Sequence, residues 1–483
     1  MAEPWSPSSP SSSTRRISSF HRATAPLTVG GLRQSIMTLM QTALGGGVLT
    51  LAYAMRLSGI GVGLVLLVAL AFVAWLGIDV LMLSAVRLEI YDTSALLSRC
   101  IGPSGGPAMD FLLVLFGMGA MLAYFILLGD FVPAILDFAS MSLWSAPLDV
   151  PLHVLRQRCM IGMVVIIGPL AVPKKLSGLR YVTPISMIAI ASTASMIVSL
   201  CPSMSAARVG RPEFGQVQWG SVGGWGIFKS FSIFLFAFNC HLNVVPVAAE
   251  FQRASVERIG KVSFRVVLFL AMFYGAIGLG GYLSFAEGTA QNILQNYTTS
   301  FLTILCQTLF SLTLVVGIAT YLNPTTKSLQ SFVRAVKRES NGTTHEQSLL
   351  DGYKELGLSP HEGIQPSSEV ERLVLICLIL VVSLTAAILV PNVGDVMGFM
   401  GASVGTGLMM VLPTLVLLRE PPPEFSPTRR MGTAAVLIAA TVVVASGDEG
   451  CRPTRYQLCR CTLRCCSWRW SHSPCLWSLR RPL

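Results

Sequence analysis

Ala43-Leu44-Gly45-Gly46-Gly47-Val48-Leu49 stands in the middle of one long apolar run, 32–55, and Phe238-Asn239-Cys240-His241-Leu242-Asn243-Val244-Val245-Pro246 in the middle of another, 226–249. About 20 apolar residues are what a helix needs to cross ~30 Å of hydrocarbon. In that medium the backbone must satisfy its own hydrogen bonds. Irregular chain is therefore tolerated only where it is buried in protein or lines a cavity. Three consecutive glycines each disfavour a helix by roughly 1 kcal/mol relative to alanine. They also permit positive φ and close approach of a ligand to the backbone. Tight helix packing is the competing reading, although packing motifs space their glycines. In the second stretch two Asn and a His need partners inside the membrane, and Pro246 removes a backbone donor. Interhelical hydrogen bonding competes there with a second broken helix. The first interruption falls about 13 residues into its run and the second about 14.

Working outward, eleven runs have crossing length: 32–55, 61–86, 108–136, 157–173, 181–201, 226–249, 262–283, 300–322, 373–391, 393–418 and 431–446. Run 61–86 carries a single charge, Asp79. Hydrophobic residues make up 52% of the 483 and charged residues 12%, against about 25% charged in a soluble domain. That excludes a disordered chain and argues against a soluble enzyme. The net charge of +11 does not mark a nucleic-acid binder, because the basic residues lie between apolar runs. With the N-terminus cytoplasmic, the inside segments hold 22 Lys and Arg and the outside loops six, which orients the chain by the positive-inside rule. The expected fold is an all-α polytopic membrane protein with about 11 transmembrane helices.

The ends carry less information. Residues 1–27 form a Ser/Pro-rich segment expected to be a disordered cytoplasmic tail, and 28–446 the transmembrane domain. Residues 447–483 hold six of the twelve cysteines in an atypical Cys/Arg-rich tail that matches no zinc spacing. The polar 323–369 connection is expected to be a flexible cytoplasmic loop. Asn296-Tyr297-Thr298, in an outside loop, matches a glycosylation sequon.

The two interrupted spans are five apart. Matched interruptions in two halves point to a carrier built from an inverted repeat, here about 32–201 and 226–418, with 431–446 as an extra helix. A broken helix exposes N–H groups that suit a carboxylate and carbonyls that suit an ammonium group or a small cation. An α-amino acid carries both charges on one carbon. The Gly45, Gly46 and Gly47 amides are expected to hold the carboxylate, and carbonyls near Phe238 and Asn239 the amine, with Thr42, His241 and Asn243 beside them. Ionisable groups in the spans are Asp79, Asp130, His241 and Asp395. His241 titrates nearest physiological pH and reads equally as a proton relay or a structural hydrogen-bonding group.

Gly45-Gly46-Gly47-Val48-Leu49…Tyr53-Ala54 is similar to the GxGILxLPYA segment in helix 1 of the amino acid/auxin permease superfamily. Phe236-Ala237-Phe238-Asn239-Cys240-His241-x-Asn243…Pro246…Glu250 resembles that superfamily's FxFxCHxN…P…E segment in helix 6. The likeness is greatest to the sodium-coupled neutral and vacuolar amino acid transporter branch. It implies, over 28–446, eleven helices in a five-plus-five inverted repeat with helices 1 and 6 broken. It also implies secondary active transport of amino acids by alternating access, in the plasma membrane or a vacuolar or lysosomal membrane. The implied partners are an amino acid and the lipid bilayer; no cofactor, metal, nucleic acid or enzymatic activity is expected, and the coupling ion is H+ or Na+. Sodium-coupled members commonly carry Asn where Gln41 stands, and complete the site with a Thr of helix 8, for which Thr313 and Thr320 are candidates. Asp130 and His241 are the proton candidates. Ala52 replaces the family's proline. A membrane sensor that binds an amino acid with little transport is the alternative.

Overall fold

The computed structural model describes residues 31–144, 150–171, 182–209, 215–220, 224–251, 254–340, 369–423 and 425–449. All regular elements among them are helical: α1 (Leu32–Ala43), α2 (Leu51–Ser58), α3 (Ile60–Leu88), α4 (Thr93–Ile101), α5 (Gly105–Trp144), α6 (Leu152–Ala171), α7 (Val182–Val209), α8 (Gly224–Ala237), α9 (Val244–Glu250), α10 (Val256–Phe285), α11 (Phe301–Ser340), α12 (Glu369–Leu389), α13 (Val393–Met400), α14 (Leu412–Arg419) and α15 (Pro427–Glu449). Among the described residues nine helices are long and apolar enough to cross a membrane, or up to ten if the bent pair at the start is one span. The eleventh expected span folds as α15, but its described part, opening on Arg429 and Arg430, is not among them. The tail 1–27 lies outside the described residues, as does the tail 447–483 apart from 447–449, which close α15.

The bundle is layered by burial. The span Gly224–Glu250 has 78% of its most apolar stretch buried and lies at the centre, whereas Leu152–Leu170 has 17% and lies at the rim. The rim exposes large apolar side chains such as Val165, Ile166, Leu378 and Val381. Lipid tails are as apolar as these groups, so such a surface needs no further cover in a membrane.

Three departures from the apolar runs have physical causes. The helix α11 continues to Ser340 through Pro324 and Lys327, so 323–340, expected in a loop, is helical. A helix that leaves the bilayer needs no apolar residues, and hydropathy alone misses its extension. The short α4 is capped by Asp92, whose carboxylate accepts the Ala95 N–H at 2.7 Å, and falls in a loop between runs. The run 393–418 is not a uniform α-helix: Gly401–Gly405 and Gly407–Val411 are π-helical. That widened backbone lets Gly401 sit directly on the Ser232 carbonyl of α8, where any Cβ would overlap it. The Asn296 side chain accepts from Ala290 N at 2.7 Å and donates to the Gly288 carbonyl at 2.8 Å, so the sequon's acceptor is engaged within its own loop.

Candidate functional site

The first span breaks at its glycines. The α-helix α1 ends at Ala43, Gly45 is extended (φ −119°, ψ −157°), a 3-10 turn runs from Gly46 to Thr50, and α2 follows. The two arms meet at 53°. The triplet uses no positive φ; among the described residues the positive-φ glycines are Gly59, Gly102 and Gly215. What glycine supplies here is space; the left-handed backbone that it also permits is not used. A Cβ on Gly45 would lie 2.9 Å from the Tyr124 hydroxyl, and one on Gly46 would lie 2.9 Å from Leu127 Cδ1. The first amide of the turn to reach a backbone carbonyl is that of Val48, on Gly45 at 3.2 Å. The Gly46 and Gly47 N–H groups thus stand at the positive end of the α2 arm without a helical acceptor.

The second span breaks after Ala237. Residues 238–240 are irregular, His241–Asn243 form one 3-10 turn, and α9 resumes at Val244. The Asn243 side-chain amide donates to Thr42 Oγ1 at 2.8 Å, joining the two broken spans. Asn239 is 3% exposed; its Oδ1 accepts the His241 N–H at 3.4 Å and its Nδ2 has no partner. His241 is fully buried, and among the described residues neither ring nitrogen has a hydrogen-bond partner. The ring lies against α3, where a Cβ on Gly77 would come 2.6 Å from Nε2. The Ala74 carbonyl lies alongside the ring but outside ordinary hydrogen-bond geometry.

Between the breaks lies a small cavity lined by Thr42, Ala43, Gly45, Gly46, Gly47, Phe116, Ala120, Tyr124, Phe236, Ala237, Asn239 and Tyr321. Only about 20 Å³ of it is open to the centre of a water molecule, room for roughly one water; an amino acid requires its aromatic walls to move. No charged side chain lines it. Of the expected substrate residues, Thr42, Gly45, Gly46, Gly47 and Asn239 line it. Phe238 and His241 are buried away from it, and Asn243 reaches it only through Thr42. Phe238 packs edge-on against Tyr274, ring centroids 5.1 Å apart. A larger groove, about 580 Å³, lies by Pro421–Pro423 and α15, far in sequence from both breaks and apolar apart from Arg430.

The expected ion-coupling residues are dispersed. Gln41 is half-buried and does not line the cavity. The Thr313 and Thr320 hydroxyls donate to the carbonyls of Leu309 and Val316 on their own helix, at 3.1 and 2.9 Å, and Thr320 is exposed. Asp130 pairs with Arg156 at 3.1 Å and accepts from Asn292 Nδ2 at 3.2 Å. Charges gather at the bundle ends. On the face expected outside, Lys229 pairs with Asp395 and donates to Tyr53 Oη at 3.2 Å. On the opposite face Arg429 pairs with Asp79 at 3.2 Å, and Ser263 donates to the same carboxylate.

Sequence reasoning missed the walls supplied by other spans: Phe116, Ala120 and Tyr124 of α5 and Tyr321 of α11. Tyr124 faces the Gly46 backbone and the Tyr321 hydroxyl, and the two rings meet edge-on at 5.9 Å. Their phenol groups inside long apolar runs were the available signal.

Residues 28–447 match the family model described as transmembrane amino acid transporter protein. The chain belongs to that family. Vacuolar amino acid transporter 6 of Saccharomyces cerevisiae is 26% identical over 411 residues, 80% of this chain and 89% of that protein. A putative amino acid transporter of Toxoplasma gondii is 34% identical over 316 residues, 65% of this chain. The chain spans only 42% of that relative's length. Among solved structures, that of MhsT in complex with L-phenylalanine is similar in fold, with a TM-score of 0.54 at 13% identity, covering 88% of this chain and 99% of that one. This transmembrane amino acid transporter family member is a multi-pass membrane protein, and the matched residues enclose both breaks and the cavity between them.

Proposed function

We propose that this chain carries amino acids across a membrane by alternating access, driven by an H+ or Na+ gradient. The observation that carries the reading is the neutral cavity between two broken spans. One wall presents the Gly46 and Gly47 amides, which suit a carboxylate. The other walls bring the carbonyl ends of α1 and α8, at Ala43 and Ala237, which suit an ammonium group. With no carboxylate or guanidinium in the lining, the site favours substrates whose side chain is uncharged, and its aromatic walls favour apolar ones. Family membership supports amino acids as the cargo. The coupling ion, the cytoplasmic N-terminus and the choice between plasma membrane and vacuolar or lysosomal membrane belong to this same proposal. His241, buried with two unpartnered nitrogens, is the proposed proton carrier if H+ couples.

The test is uptake of labelled neutral amino acids into proteoliposomes, with Na+ replaced by choline at two pH values. Uptake that persists in choline and rises with an imposed proton gradient assigns H+. Uptake lost in choline at both pH values assigns Na+. Binding without flux under either gradient would replace the carrier by a sensor.

A further inference from the structure

Tyr274 stands on α10. It lies outside both breaks, does not line the cavity, and is fully buried. Its hydroxyl is 2.9 Å from the Ala43 carbonyl and 2.8 Å from the Ala237 carbonyl. These are the last residues of α1 and α8, the two half-helices that stop at the breaks. A phenol carries one proton, so the two carbonyls share a single donor. Each of them is an orphan acceptor at a helix C-terminus, with partial negative charge. Ala43 also accepts from the Gly45 N–H at 2.9 Å; Ala237 has no other partner among the turn and cap bonds. Two such dipole ends repel unless something positive lies between them. The phenol proton does so, and the Phe238 ring holds the Tyr274 ring in place from the side.

We infer that Tyr274 is a positioning residue for the ammonium end of the substrate: its hydroxyl, standing behind the cavity, straps the Ala43 and Ala237 carbonyls together so that both lie at the cavity wall. The inference rests on the proposed amino acid site. Ala43 and Ala237 line the cavity, and their carbonyls bond Tyr274, which does not line it. A carbonyl oxygen has two lone pairs, so the Ala237 oxygen can hold the strap and still accept from an ammonium group, whereas the Ala43 oxygen already accepts from Tyr274 and the Gly45 N–H. Shared donation leaves the Ala237 carbonyl only partly satisfied, which favours a second, cationic donor. Without the hydroxyl the two ends are free to part, and the ammonium group loses at least one charge-assisted hydrogen bond.

The experiment compares an amino acid with its des-amino carboxylic acid as competitors of labelled uptake, in wild type and in Tyr274→Phe. Both ligands use the glycine amides, but only the amino acid uses the carbonyls. The wild type should prefer the amino acid, and Tyr274→Phe should lower that preference about tenfold by weakening the amino acid alone. A parallel loss for both ligands, or no loss for either, would overturn the inference, because a purely structural role does not distinguish them. If the Phe variant fails to fold, 3-fluorotyrosine placed at position 274 keeps the hydroxyl. Its fluorine resonance should move on adding the amino acid and stay still with the des-amino acid; equal responses, or none, overturn the strap. Absence of any amino acid uptake or binding by the wild type is a separate result, and it withdraws the transport reading together with the inference built on it.

Discussion

The two breaks stand at matched places in the chain yet are built from different materials. The break in the first span is made of absence. Its glycines have no side chains, its arms meet at 53°, and its shape follows from what Tyr124 and Leu127 occupy around it. The break in the central span is made of polar side chains. Asn239, His241 and Asn243 fill it, and among the described residues it is not a sharp bend. At Gly45 and Gly46 an added atom has no room, whereas in the second break the Asn243 side chain ties the two spans through Thr42. Matched location does not mean matched chemistry: the first break offers bare backbone, the second supplies side chains that tie or orient it.

The largest effect is expected of Gly46→Val. Its Cβ meets Leu127 and Tyr124 at 2.9 and 3.1 Å, and uptake should fall about 100-fold while surface expression is kept. Normal flux would mean that the first break is not controlled by space. Next is Asn239→Ala, which removes the one polar side chain of the second break that lines the cavity. Uptake should fall about tenfold, mainly through a weaker KM; an unchanged KM would separate the second break from the substrate.

His241→Leu should act oppositely on two readouts. Removing a buried imidazole without hydrogen bonds should raise the melting temperature in detergent by about 2–4 °C. The same variant should lose any acceleration by a proton gradient, whereas a retained gradient effect would remove His241 from the coupling path. Thr42→Val cuts the hydroxyl that joins the spans at 2.8 Å, at about 1 kcal/mol of stability, with uptake reduced only a few-fold. The smallest effect belongs to Gly47→Ala. Its Cβ would meet the Phe236 ring at 3.5 Å, ordinary contact, so uptake should stay within about twofold of wild type. A loss as large as that of Gly46→Val would show that backbone freedom, not room, is what the triplet provides.

Much of this was legible without coordinates. Charge-poor runs marked the crossing helices, and the positions of both interruptions were visible, because helix breaking is a local property of glycine, proline and buried polar residues. Of the two properties that glycine brings to the triplet, freedom of φ and room at the backbone, the structure uses the second: no positive φ occurs there, and a neighbouring helix packs closely against it. The helical part of 323–340 and the π-helical turns of 401–411 were invisible to hydropathy. One leaves the membrane as an ordinary polar helix, and the other is set by packing against Ser232.

The order of residues marks a helical membrane protein, the family it resembles, and the places where two of its spans cannot remain helical. Each of these depends on residues within about one helix length of one another. Only the tertiary structure decided that Tyr124 and Tyr321 wall the cavity, that His241 faces away from it, and that Tyr274 joins the ends of α1 and α8. These contacts join residues as far apart as 231 positions. An error of one residue in helix register turns a side chain by about 100°, so no local pattern could specify them.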